Sequence, residues 1–146
     1  MPENYLQAVV LAGQTVNPLF STLGIEVQSL GDGCAVLRLP CGQGLVQGAG
    51  MVAGGVLATL ADEAMAHAVL STLTNGQVTA TLDMSVRFLS PARKGEELRA
   101  EAVVIRRGQR VVFARVEVLG TKGQAVASAD ASFLVGPVKK TRLKLT

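Results

Sequence analysis

A chain of 146 residues is the length of one ordinary domain, and 49% hydrophobic residues suffice for a core, so disorder is excluded. The formal charge of +3 is modest and the aromatics are few (no Trp, one Tyr, four Phe), which argues against a surface that stacks nucleic-acid bases. The most apolar stretch, 51–70, carries Asp62, Glu63 and His67 and is no membrane span.

Read in chain order, residues 3–12 show a helical pattern through Tyr5, Leu6, Val9 and Val10, broken at Asn17-Pro18. A short helical turn fits 19–23. Strands fit 24–30 and 34–39, joined by Gly31-Asp32-Gly33 and stopped by Pro40. A glycine-rich loop, 41–50, leads into a long helix from Ala53 to Thr72, apolar nearly all round and therefore expected to be buried, with Asn75-Gly76 as its stop. Four strands follow, at 77–89, 97–106, 111–119 and 125–135, and strands joined by tight turns are expected to be antiparallel neighbours. One sheet with one long buried helix is an α+β layout, with 1–146 read as a single domain.

Two cysteines, Cys34 and Cys41, match no metal-ligand spacing, and no metal is expected. The first residues lack the basic start of a signal peptide, so free thiols and a cytoplasmic location are expected. Basic residues gather at Arg106, Arg107 and Arg110 and in the tail at Lys139, Lys140, Arg142 and Lys144. Such residues usually form a solvated surface, the functional alternative being a phosphate-bearing small molecule.

The run Gly48-Ala49-Gly50-Met51-Val52-Ala53-Gly54-Gly55 is the most suggestive segment. Glycines at a helix start leave backbone N–H groups accessible to an anionic or polarised oxygen. Two turns into the helix stand Asp62 and Glu63. Glu63 has His67 at i,i+4, so a local pair explains both residues. Asp62 has only Ala58, Thr59, Met65 and Ala66 at helical contact spacing, with no cation among them. A buried carboxylate without a cation gains basicity, as a general base or nucleophile requires; the alternatives are an Asp turned to solvent or partnered from elsewhere in the fold.

The segment 50–64 resembles the signature of hotdog-fold acyl-CoA thioesterases of the phenylacetate-pathway (PaaI-like) type, N-x-x-G-x-x-H-G-G followed by a helix reaching L-x-D. A second match is Thr81-Leu82-Asp83-Met84-Ser85-Val86-Arg87-Phe88-Leu89-Ser90-Pro91-Ala92, followed by Lys94-Gly95-Glu96. The resemblance covers roughly 18–136. It implies a hotdog fold, with the sheet wrapped around the long helix, and hydrolysis of an aryl or medium-chain acyl-CoA to free acid and CoA, CoA being part of the substrate and no separate cofactor being needed. Asp62 is then the catalytic carboxylate, Gly54 offers its N–H to the thioester carbonyl, Thr81 positions the water or the carboxylate, and Gln47 stands where many relatives have Asn. Ala53 stands in place of the usual His. A thiol leaves readily as thiolate, so that loss need not abolish hydrolysis. The resemblance also implies a site shared across a homodimer, commonly assembled into a homotetramer. Arg87, Arg93, Lys94, Arg106, Arg107 and Arg110 are candidates for the CoA phosphates. A hotdog module that binds acyl-CoA without turnover is the competing reading. A dehydratase on the same fold is weaker, because its catalytic His would have to be His67.

Overall fold

A computed structural model describes residues 4–137. Two short helices, α1 (Tyr5–Val9) and α2 (Pro18–Leu23), precede a hairpin of β1 (Glu26–Gly31) and β2 (Cys34–Pro40). The glycine-rich loop holds a 3-10 turn at Gln43–Leu45 and a small bridge between Val46 and Val52 before α3 (Gly54–Leu70). Then come β3 (Gln77–Phe88), β4 (Glu97–Arg107), β5 (Val111–Leu119) and β6 (Ala125–Pro137). Position 3 of the first helical pattern and the basic residues at 139–144 lie outside the described residues.

The strands form one antiparallel sheet in the order β1-β2-β4-β5-β6-β3. The tight hairpins β1–β2, β4–β5 and β5–β6 pair as expected. The longer connection 89–96 does not join neighbours: it carries the chain from β3, at one edge beyond β6, to β4 in the middle. Strand β3 therefore pairs on one side only, with β6.

Helix α3 packs on the concave face of this sheet, the α+β hotdog arrangement implied by the sequence. Leu60, Ala61, Ala64, Met65, Ala68 and Val69 are fully shut off from solvent. They meet a sheet face that includes buried alanines, among them Ala100, Ala102, Ala114, Ala127 and Ala131, whose small side chains let the helix lie close. Each large apolar side chain buried in this layer contributes about 1.5–3 kcal/mol.

Two expectations for α3 need correction. It stops at Leu70 rather than Thr72, because the Ser71 and Thr72 hydroxyls bond back to the carbonyls of Ala68 and Val69, 2.7 Å each, and relieve the helix end before Asn75-Gly76 is reached. It is also not buried all round. Gly54 and Gly55 are exposed, and Asp62 and Glu63 are half-buried. No helix of the described residues is long and apolar enough to cross a membrane.

Candidate active site

A bulge in β3 determines which side chains face the helix. Thr81 pairs with Phe133 and Asp83 with Ser132, so Leu82 is an extra residue between them. The bulge keeps Thr81 on the helix side, with the buried Phe133, and turns Asp83 to the outer face, where Ser132 Oγ donates to it at 2.7 Å.

Thr81 meets Asp62 across this gap. Its hydroxyl donates to Asp62 Oδ1 at 2.7 Å, a short bond of the kind charge assistance produces. Thr59, the only polar helical neighbour of Asp62, is engaged elsewhere, its hydroxyl donating to the Gly55 carbonyl at 2.8 Å. Asp62 thus takes its partner from another part of the fold, one of the alternatives left open by the sequence. One carboxylate oxygen is oriented by Thr81 and Oδ2 is left for other contacts. Thr81 itself is exposed, so the pair sits at the open edge of the sheet.

The start of α3 forms a second, separate group. Ala53 is the N-cap in an extended conformation, and no side chain caps the helix. Its carbonyl accepts from Val56 and Leu57 at 3.0 and 3.2 Å, which leaves the N–H groups of Gly54 and Gly55 without an acceptor among the described residues. They point out of the positive end of a 17-residue helix. The ring of Phe88, 56% exposed on β3, lies over Gly54, where an added Cβ would meet Phe88 Cζ at 3.4 Å. A glycine here keeps the ring and the backbone in close approach.

Gln47 falls at this same end of α3 but does not reach either group. It is exposed, and its side-chain Oε1 accepts from Ala49 N–H in its own loop. Gly54 and Asp62 are eight residues apart, roughly 12 Å along the helix. Of the four sequence-derived site residues, the chain brings Asp62 and Thr81 together, with Gly54 at the other end of the same helix and Gln47 in the loop before it.

The Glu63–His67 pair differs from the expected ion pair. His67 is 2% exposed, and burial lowers its pKa, so it is held neutral. Its Nδ1 lies 2.7 Å from the Glu63 carbonyl and 3.8 Å from the Glu63 carboxylate. Its Nε2 lies 2.9 Å from Tyr5 Oη, which in turn accepts from Asn17 Nδ2 at 2.8 Å. With the Nδ1 proton on the carbonyl, Nε2 accepts from Tyr5 and every bond in the chain is satisfied. Glu63 is left without a cation, and burial, helped by the nearby Asp62, pushes its pKa up to about 7. Tyr5 and Asn17 were missed from the sequence because they lie far from His67 along the chain and no local spacing links them. Phe88 was missed as well, its one sequence signal being an aromatic among few, on a strand that ends beside the glycines.

Among the candidate cations, Arg93 is tied to the glycine loop by an antiparallel bridge between Met51 and Arg93. Arg87 sits on the exposed outer face of β3, and Arg106, Arg107 and Arg110 flank the β4–β5 turn. Among the described residues no group of three His, Cys, Asp or Glu is placed to hold a metal ion.

The family model for the thioesterase superfamily matches residues 49–127, which contain both groups. A Halobacterium salinarum protein named "Putative esterase" is 40% identical over 106 residues, 69% of each chain. Acyl-coenzyme A thioesterase 13 of Mus musculus is 33% identical over 79 residues, 53% of this chain and 56% of the mouse protein. The solved structure of the E. coli PaaI protein from the phenylacetic acid degradation operon superposes with a TM-score of 0.78 at 25% identity, covering 85% of this chain and 86% of that one.

Proposed function

The chain belongs to the thioesterase superfamily and is a thioester hydrolase of PaaI-like hotdog type, and from that premise we propose that it hydrolyses acyl-CoA thioesters of aryl or medium-chain acids, with Asp62 as base or nucleophile. The observation that carries this reading is the 2.7 Å bond from Thr81 to Asp62 Oδ1. It fixes the carboxylate at the edge of the sheet with its second oxygen available. Asp62 either takes a proton from the water that attacks the thioester carbon, or attacks that carbon itself to form an acyl-Asp anhydride that water then hydrolyses to the free acid and the regenerated carboxylate. The carbonyl oxygen becomes an oxyanion, which the Gly54 N–H receives, and the carbon–sulfur bond breaks to release CoA as thiolate. A thiolate needs little acid assistance, which accommodates Ala53 in place of a His.

Asp62 and Gly54 of one chain are too far apart to hold one thioester. The unpaired edge of β3 supports a homodimer as the remedy. Thr81, holding Asp62, stands fifth in the 12-residue strand β3, and Phe88, lying on Gly54, is its last residue. Two copies of β3 paired antiparallel about a two-fold at Ser85 keep like faces together, and the extra residue at the Leu82 bulge then sets Thr81 opposite the partner's Phe88, and so Asp62 toward the partner's Gly54. The exposed Leu82, at 54%, would be covered in the same step. Pairing of two such dimers would give a tetramer. Gln47, beside the glycine end, orients the reactants from that side after its loop contact is exchanged. Arg93 and Lys94, through the bridge to Met51, are the cations best placed for the CoA phosphates. CoA belongs to the substrate, and the mechanism calls for no separate cofactor. Free thiols at Cys34 and Cys41 support a reducing cytoplasmic location.

A panel of aryl- and medium-chain acyl-CoAs with a thiol-trapping reagent tests the reading. Release of free CoA from at least one member is expected. Binding of acyl-CoA with no thiol released would instead favour the non-catalytic binding module.

A further inference from the structure

A cavity of about 290 Å³ opens between α3, β3, the helix α1 and Asn17, the N-cap of α2. Thr81 lines it, so the cavity shares a wall with the Asp62–Thr81 pair. Phe133 contributes apolar wall, and Tyr5, Asn17, His67 and Glu63 contribute polar groups. Three of these are committed to one another: Asn17 donates to Tyr5 Oη, Tyr5 bonds His67 Nε2, and His67 Nδ1 bonds the Glu63 carbonyl. The carboxyl of Glu63 stands apart. No hydrogen bond reaches it among the described residues, and His67 Nδ1, 3.8 Å away, gives its proton to the carbonyl. Half-buried and without a protein donor among the described residues, this carboxyl can accept a bond from a ligand that enters the cavity.

Resting on the acyl-CoA reading above, we propose that this cavity receives the far end of the acyl group and that Glu63 selects acyl groups whose far end carries a hydrogen-bond donor. A thioester whose carbon lies beside Asp62 has its acyl tail next to the space that Thr81 bounds. The volume lies just below the range of about 300–1,000 Å³ typical of drug-sized ligands, which suits a short tail rather than a long alkyl chain. A plain methyl terminus would leave Glu63 desolvated and unbonded. A terminal hydroxyl or amine would give it the missing donor, and a site built in this way discriminates strongly against the analogue that lacks the group.

The test compares kcat/KM for hexanoyl-CoA, 6-hydroxyhexanoyl-CoA and 6-aminohexanoyl-CoA, in wild type, Glu63→Leu and the near-isosteric Glu63→Gln. At pH 8, above the Glu63 pKa of about 7, wild type is expected to favour a donor-ended probe over hexanoyl-CoA by about tenfold or more, the effect of one hydrogen bond to a charged group. Preference for the hydroxyl marks a neutral ligand and preference for the amine a cationic one. Glu63→Leu should reverse or abolish the preference, and Glu63→Gln should weaken it, most for the amine. Hexanoyl-CoA as the best wild-type substrate, or a preference unchanged in Glu63→Leu, overturns the assignment while leaving acyl-CoA hydrolysis standing. Absence of turnover with all three probes counts against both.

Discussion

The hydroxyl of Thr81, on the edge strand β3, donates to Asp62 Oδ1, on the central helix, at 2.7 Å. The two residues are 19 positions apart, and a single bulge at Leu82 gives Thr81 the side of the sheet on which Asp62 lies. The bond holds one carboxylate oxygen and leaves the other without a hydrogen bond among the described residues.

Removing that hydroxyl should loosen the carboxylate without removing it. Thr81→Ala is expected to lower kcat by about ten- to a hundredfold, the scale of a hydrogen bond to a charged group, with KM changed less. Thr81→Ser, which keeps the donor, should recover most of the rate. Steady-state kinetics of the two variants side by side check this; equal losses in both would mean that the methyl, rather than the hydroxyl, matters.

The two shifted groups on α3 should impose opposite pH dependences on stability. Glu63 is raised to about 7 from an unfolded value near 4.5, mainly by burial and then by Asp62, so its contribution is complete below pH 4.5 and is lost as pH rises through 7. His67 is lowered by burial, against the hydrogen bond to the Glu63 carbonyl, so its contribution is complete above 6.5 and is lost as pH falls through its lowered folded pKa. Tyr5, the other ionisable group facing this network, is raised from 10.0 and stays protonated throughout that range. Glu63→Gln should therefore melt higher than wild type at pH 8, by on the order of 2 kcal/mol, with the gain fading toward pH 5. The variant should also show the acid sensitivity of His67, which Glu63 offsets in wild type. Thermal melts of both proteins from pH 5 to 8 measure the two slopes.

If the active unit is a β3-paired dimer, a charge on the strand edge should separate it. Leu82→Lys places a cation at an exposed bulge, where it costs the isolated chain little. Light scattering should show monomers at concentrations where wild type is dimeric or larger, and hydrolysis should fall in parallel as dilution separates the remaining pairs. A fully active monomer would exclude a shared site.

Much of this arrangement is legible in the residues. The long helix, the six strands and the isolation of Asp62 from any local cation follow from hydropathy period and i,i+3/i,i+4 spacing alone. Pairing across the sheet is not local information. Nothing between 77 and 97 marks β3 as the edge strand, yet that placement puts Thr81 and Phe88 on an open border. The Glu63–His67 spacing suggests an ion pair, but Tyr5 and Asn17 reach the imidazole from the far N-terminus and keep it neutral. Asn75-Gly76 looks like the helix stop, whereas the Ser71 and Thr72 hydroxyls end α3 at Leu70, before that pair is reached. Thr81 and Gln47 were identifiable only through family resemblance, and of the two only Thr81 meets another site residue within one chain.

The most direct measurement is kcat of Asp62→Asn on an acyl-CoA that wild type turns over, with circular dichroism and light scattering on the same samples. The expected result is a fall on the order of 10²–10⁴-fold, with fold and oligomer unchanged. An Asp62→Asn enzyme that hydrolyses as fast as wild type would contradict the assignment of Asp62 as base or nucleophile.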